Sequence, residues 1–168
     1  EDRLRGGPAR YLATGYPAGD AEWQARLEQH RARRPDGWET LESLNVAAAL
    51  EAVDDRPLLV DCLTLWLTRT LDDLGAWELP PAEAMAAVEP RMAQLAAAVG
   101  QARSEVVLVS NEVGSGVVPQ TASGRIFADL LGDLNRRVAQ QCDEVVLMVA
   151  GIAVPVRGSA PAWRTEQG

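Results

Sequence analysis

The sequence predicts a protein of the α/β class, with a mostly parallel sheet that has helices on both faces. Two observations support this prediction. Short apolar runs of strand length recur along the 168 residues, and long segments with helical spacing of apolar side chains separate most of them. Strands that alternate with helices are typical of a parallel sheet, because each parallel connection must cross back over a face of the sheet.

Four apolar runs are predicted to be buried strands, each followed by a polar or glycine-containing turn. They are Tyr11 to Thr14, Leu58 to Val60, Val106 to Val109 and Val145 to Val149.

Four segments are predicted to be helices: Asp20 to Arg34 with Asp20 as its N-cap, Thr40 to Val53, Ala82 to Gln101, and Arg125 to Gln141. A further helix is expected to begin near Leu63, and residues 75–81 are expected to form a loop. The length fits one α/β domain at residues 1–158, followed by a flexible tail at 159–168.

Composition narrows the classes of function. The net charge of −8 argues against nucleic-acid binding, since a phosphate footprint needs a basic surface. No run approaches the roughly 18 to 20 apolar residues of a membrane span, and the first residues carry no signal-peptide pattern. Cys62 and Cys142 lie in apolar stretches without metal-ligand spacing, so we expect buried free thiols in a cytoplasmic protein.

Polar residues follow three of the predicted strands. The end of the first strand carries Thr14 and Gly15, the end of the second carries Asp61, and the end of the third carries Asn111 and Glu112. Ligands bind beyond the carboxyl ends of the strands in open parallel sheets, so these residues predict a ligand-binding edge.

His30, the only histidine, lies in an arginine-rich segment. On a helix, Arg26, Arg33 and Arg34 each lie three or four residues from His30, so cations are expected around the imidazole. Arginine matches phosphate oxygens in a bidentate way, and nearby positive charge favours a neutral imidazole that could attack an α-phosphate. The alternative is a solvated basic helix face with an incidental histidine.

Asp61 closes the run PLLVD, a position where nucleotide-binding enzymes place a carboxylate that faces magnesium. The alternative is that Asp61 is the N-cap of the helix that begins near Leu63. Asn111 and Glu112 are followed by Gly114 and Gly116, which allow tight turns near a ligand. The alternative there is an ordinary strand-end turn that leads into a helix.

Four segments in this order resemble one enzyme family. They are HRARRPDGWETLE, LLVDCLTLWLT, VLVSNEVGSGVVPQTASGRIFADLLGDLNRRVA and DEVVLMVAGIAVPVRG. The chain is similar, from about Tyr11 to Gly158, to the adenosylcobinamide kinase/adenosylcobinamide-phosphate guanylyltransferases. The resemblance implies a RecA-like P-loop fold and a homotrimer.

The resemblance also implies an activity. The family phosphorylates adenosylcobinamide, using ATP or GTP, and then transfers GMP from GTP to adenosylcobinamide phosphate through a guanylylated histidine. His30 matches that histidine, and Asp61 matches a nucleotide contact that could also bind Mg²⁺. The other implied nucleotide contacts are Thr14, Gly15, Tyr16, Arg31, Ala32, Arg33, Arg34 and Glu42, whereas Asn111 and Glu112 are candidate substrate residues at the sheet edge.

One departure from the family is that all sixteen basic residues are arginine. The sequence therefore contains no GxxxxGK[ST] phosphate-binding loop. We expect the first strand, loop and helix of the family fold to be missing from this sequence, and the fragment to be poorly active without them. The alternative function is a degenerate paralogue that binds a corrinoid or guanine nucleotide without turnover.

Overall fold

The fold is described from a computed structural model, which covers residues 4, 7–16, 21–52 and 54–158. Along the chain, the strands and helices are β1 (Arg10–Ala13), α1 (Ala21–Ala32), β2 (Glu39–Glu42), α2 (Val46–Glu51), β3 (Leu58–Asp61), α3 (Leu63–Asp73), α4 (Pro81–Gly100), β4 (Val106–Val109), α5 (Ala122–Gln141), β5 (Val145–Val149) and β6 (Ile152–Arg157). A short 3₁₀ helix, Ala76–Glu78, lies between α3 and α4, where a loop was predicted. The predicted N-cap Asp20 and the tail 159–168 lie outside the described residues.

The main sheet has four parallel strands in the order β2-β1-β3-β4. This arrangement confirms the α/β class and the parallel sheet. β1 and β3 are central and carry apolar side chains on both faces, as strands buried on both sides must. The first three predicted strands are therefore present, within one residue of the expected bounds.

The predicted helix Thr40 to Val53 is wrong in its first half. Glu39–Glu42 instead forms β2, which pairs in parallel with β1. The helix begins only at Val46, where the Asn45 side chain caps it by accepting a hydrogen bond from the Ala48 N–H at 3.1 Å. Pairing with the edge of β1 satisfies the backbone of residues 39–42, and this tertiary contact decides their conformation. Val53 lies outside the described residues.

The fourth predicted strand exists but does not join the parallel sheet. β5 pairs in an antiparallel hairpin with β6, a strand that was not predicted. Ala150 and Gly151 connect them, with φ angles of 50° and 78°. Two positive φ angles in a two-residue loop match the twist of a hairpin, so the chain reverses here instead of crossing over the sheet.

The larger core lies between one face of the sheet and helices α2 to α5. It includes Leu12, Val60, Leu67, Val88 and Leu131, all fully buried or nearly so. The other face carries a smaller cluster built on Tyr11, Leu59 and Leu4. No helix among the described residues is long and apolar enough to span a membrane.

Candidate functional site

The carboxyl ends of β1 and β3 bring the first candidate residues together. Ala13 lies beside Asp61 in the parallel register, and the Thr14 N–H donates to the Asp61 carbonyl at 3.0 Å. The Thr14 hydroxyl donates to the Cys62 carbonyl at 2.6 Å and accepts from the Cys62 N–H at 2.9 Å. Thr14 is completely buried, so this one side chain joins the two strand ends.

Asp61 is the centre of a polar cluster at this edge. The Tyr11 hydroxyl donates to Asp61 Oδ2, and the His30 Nδ1 atom lies 3.7 Å from the same oxygen. Burial and the hydrogen bond to Asp61 raise the pKa of Tyr11 well above its usual range, so its hydroxyl stays protonated and donates. The N-cap of α3 is Cys62 and not Asp61, so the geometry does not support the alternative role as a helix cap.

His30 lies in the last turn of α1, which buries none of its side chains. Its own side chain is 52% exposed, so the imidazole faces both Asp61 and solvent. The arginine-rich segment predicted cations around the imidazole, but no sequence pattern predicted the neighbouring carboxylate or Tyr11. These two residues lie 31 and 19 positions from His30, and only the fold brings them close.

The arginines of this segment have partners of their own. Arg26 pairs with Glu22, and Arg31 pairs with Glu42 at the end of β2, each at 2.6 Å. The Arg34 guanidinium lies over the Tyr11 ring, 3.6 Å from its centroid, and donates to the Thr40 hydroxyl at 2.7 Å. Arg34 therefore covers the Tyr11 side of the cluster.

Ala32 ends α1, and Arg33 follows it with an exposed side chain. Neither residue contacts the Asp61 cluster through a described hydrogen bond or ion pair.

The segment Thr14–Tyr16 is held by two side chains that no sequence pattern connected with it. Arg69, on α3, donates to the Thr14 and Gly15 carbonyls at 3.2 and 2.7 Å. Trp23, on α1, donates to the Tyr16 carbonyl at 3.0 Å. Arg69 belongs to no recognisable pattern in the sequence, so no signal there could have identified it.

Asn111 and Glu112 form a separate cluster after β4. Thr64, on α3, donates to Asn111 Oδ1 at 2.7 Å and accepts from the Asn111 N–H at 3.1 Å. Asn135, on α5, donates to the Asn111 carbonyl at 2.9 Å, and Glu112 accepts from the Gly114 N–H. The strand-end turn is thus fixed to both neighbouring helices.

The acidic side chains of the candidate site could supply only part of the coordination of a metal ion. The described part of the chain contains no cluster of three or more side chains of the types that ligate metals. Both described contacts of the Asp61 carboxylate use Oδ2. Mg²⁺ in nucleotide enzymes is often held by one or two carboxylates together with substrate phosphates. Asp61 therefore fits as a single protein ligand, with the remaining ligands supplied by the phosphates.

Comparison with known proteins gives a consistent picture. Residues 3–156 match the family model described as cobinamide kinase/cobinamide phosphate guanyltransferase. The chain is 41% identical over 153 residues to the bifunctional adenosylcobalamin biosynthesis protein CobP of Pseudomonas aeruginosa, which covers 88% of this chain and 82% of the relative. It is 35% identical over 156 residues to the bifunctional adenosylcobalamin biosynthesis protein CobU of Escherichia coli, covering 88% and 84% respectively.

Proposed function

Since the chain belongs to the cobinamide kinase/cobinamide phosphate guanyltransferase family, we propose that it phosphorylates adenosylcobinamide and then transfers GMP from GTP to the product. The product of the second step would be adenosylcobinamide-GDP, with pyrophosphate released. We further propose that His30 carries the guanylyl group between the two substrates.

The observation that carries this proposal is the position of His30 beside Asp61. A carboxylate 3.7 Å from Nδ1 favours the tautomer with its proton on Nδ1 and leaves the lone pair on Nε2. The tautomer is assigned from this neighbour. Because half of the side chain is exposed, a nucleotide can reach the imidazole from solvent.

The proposed chemistry has two displacements at one phosphorus atom. The Nε2 lone pair attacks the α-phosphorus of GTP, forming an N–P bond as the bond to the pyrophosphate oxygen breaks. The imidazole becomes positively charged in this step, and the negative charge of Asp61 stabilises it. A phosphate oxygen of adenosylcobinamide phosphate then attacks the same phosphorus, and the N–P bond breaks to restore His30.

The remaining candidate residues are proposed to bind the nucleotide. Arg31 and Arg34 offer planar guanidinium groups suited to phosphate oxygens, and their present acidic or aromatic partners would share them with the ligand. Mg²⁺, if bound at Asp61 together with the phosphates, would neutralise charge on the triphosphate. The proposed nucleotide-binding set is Thr14, Gly15, Tyr16, Arg31, Ala32, Arg33, Arg34, Glu42 and Asp61, with Asn111 and Glu112 as candidate substrate contacts.

Assembly and location are part of the same proposal. The β5–β6 hairpin exposes large apolar side chains, among them Met148, Ile152 and Val156, and an exposed apolar patch of this kind supports the proposed homotrimer. The mass of the particle measured by light scattering tests this assembly. Free Cys62 and Cys142 support the proposed cytoplasmic location, where thiols stay reduced.

The test of the covalent step uses GTP labelled at the α-phosphate. Incubation of the full-length protein with Mg²⁺ should give a labelled protein whose adduct is labile in acid and stable in base, as a phosphoramidate is. The variant His30→Ala should give no adduct, while Gln29→Ala, an exposed neighbour on α1, should label like the wild type. Equal labelling of His30→Ala and wild type would exclude His30, and GTP binding without any adduct would favour the non-catalytic paralogue.

A further inference from the structure

Arg69 is a half-buried cation that none of the proposed chemical steps uses. A single nitrogen, Nη1, donates to the carbonyls of Thr14 and Gly15. The centre of the guanidinium group also lies over the Tyr16 ring, 5.2 Å from its centroid. One side chain on α3 therefore contacts all three residues of the segment Thr14–Tyr16.

The contacts fix which way the peptide groups of this segment face. In a trans peptide the C=O and the following N–H point in opposite directions, and the bonds between Thr14 and Tyr16 are trans. Because Arg69 draws the Thr14 and Gly15 carbonyls toward α3, the N–H groups of Gly15 and Tyr16 point away from Arg69. Within the described residues, neither N–H group has a hydrogen-bond acceptor.

Two side chains also pack closely against Gly15. A Cβ atom added to Gly15 would lie 3.2 Å from Leu65 Cδ1 and 3.3 Å from Trp23 Cζ2. Such distances are tighter than ordinary van der Waals contacts, so the Leu65 and Trp23 side chains leave little free space beside the Gly15 backbone. Tyr16 remains partly exposed at the end of the segment. The result is a fixed pair of N–H donors beside an accessible aromatic ring.

We propose that Arg69 is a positioning residue that holds Thr14–Tyr16 in the conformation that binds the guanine nucleotide. The two N–H groups would donate to oxygen atoms of the nucleotide, as backbone donors at anion-binding turns do. This inference rests on the proposed function, because it takes the nucleotide from there. Among the described contacts, Arg69 touches neither His30 nor Asp61, so its loss should weaken nucleotide binding and leave the reactivity of the imidazole nearly unchanged.

The experiment measures the Kd of GTP by isothermal titration calorimetry and the guanylylation rate at saturating GTP. Arg69→Met keeps an unbranched apolar stem and removes the donors. We expect its Kd to rise about tenfold, the low end of the effect of losing charge-assisted hydrogen bonds, with a saturated rate within about threefold of wild type. The Kd of Arg69→Lys should lie between those of wild type and Arg69→Met, because lysine can donate to the carbonyls but has no planar group to lie over Tyr16.

The matched control is Arg157→Met. Arg157 also donates through Nη1 to two carbonyls, those of Ala139 and Cys142, at 2.6 and 3.4 Å, but these belong to the end of α5. Arg157→Met should bind GTP with the Kd of the wild type. If Arg69→Met does not fold, Arg69→Gln is measured by the same criteria.

The outcomes separate this inference from the proposed function. A Kd for Arg69→Met equal to that of Arg157→Met, in a wild-type protein that forms the adduct, overturns the inference alone. A raised Kd together with a wild-type protein that binds GTP but never becomes labelled supports the inference and overturns the covalent step. A wild-type protein that does not bind GTP overturns both.

Discussion

The substitution Asp61→Asn removes one negative charge from the centre of the site while keeping the shape of the side chain. Asparagine can still accept the Tyr11 hydrogen bond through its amide oxygen, so the smaller cluster built on Tyr11 should be preserved. The charge facing His30 is lost. We therefore expect a melting temperature close to that of the wild type and a slower guanylylation of His30.

The size of the effect follows from the distance and exposure of the pair. Two unit charges about 4 Å apart interact by about 1 kcal/mol in water and by about 4 kcal/mol at an effective dielectric constant near 20. The His30 and Asp61 side chains are 52% and 25% exposed, so solvent screening places the pair toward the lower value. A loss of about 1 to 2 kcal/mol in the transition state corresponds to a rate about 5 to 30 times slower.

The assay is the rate of labelling from α-labelled GTP under single-turnover conditions. Asp73→Asn is the matched control, because Asp73 also faces a cation, Arg91 at 3.4 Å, but lies at the end of α3. It should label at the wild-type rate. If Asp61 also shares a magnesium ion with the phosphates, excess magnesium or manganese should restore part of the activity of Asp61→Asn. Labelling of Asp61→Asn at the wild-type rate would refute the proposed role of the carboxylate.

Two further predictions concern stability. The hydrogen bonds from Arg56 lower the pKa of Asp54 from 3.8 to about 2, so the folded protein keeps this carboxylate ionised where the unfolded chain binds a proton. The ionised carboxylate should therefore stabilise the fold above about pH 4, and this stabilisation should be lost as the pH falls to about 2. In urea unfolding from pH 5 to 2, the free energy of unfolding should decline less for Asp54→Asn than for wild type. Equal declines would contradict this assignment. Leu131→Ala, at a fully buried position of α5, should lower the free energy of unfolding by about 2 to 5 kcal/mol. The control Ala128→Ser, at a half-exposed position of the same helix, should change the free energy of unfolding much less. A loss below about 1 kcal/mol for Leu131→Ala would show that the core closes around the missing side chain.

The sequence predicted the parts of the fold that hydrophobic burial determines. β1, β3 and β4 are apolar runs, and α5 has a clear apolar face, so their positions can be read without tertiary information. β2 could not be found in this way, because three of its four residues are exposed and its conformation comes from pairing with β1. β6 is similarly exposed along most of its length and contains Pro155.

The candidate site, too, was predictable from the sequence only in part. His30 and Asp61 could be selected one by one, the first from its arginine-rich segment and the second from its position at a strand end. Their contact depends on how the end of α1 lies over β3, and no local pattern contains that information. The role of Tyr11 was also hidden, because an aromatic residue in an apolar run is usually a packing residue.

The absence of buried side chains in α1 has a consequence for how the site moves. The free energy needed to open a helix locally depends on the apolar surface that it buries, and α1 buries far less than α4 or α5, each of which places several side chains in the core. The described contacts that join α1 and its end to the rest of the protein are polar or aromatic, through Trp23, His30, Arg31 and Arg34. The imidazole is therefore carried by an element that can detach at low cost while the sheet edge stays intact. Amide hydrogens of α1 should accordingly exchange with solvent well before those of the core helices.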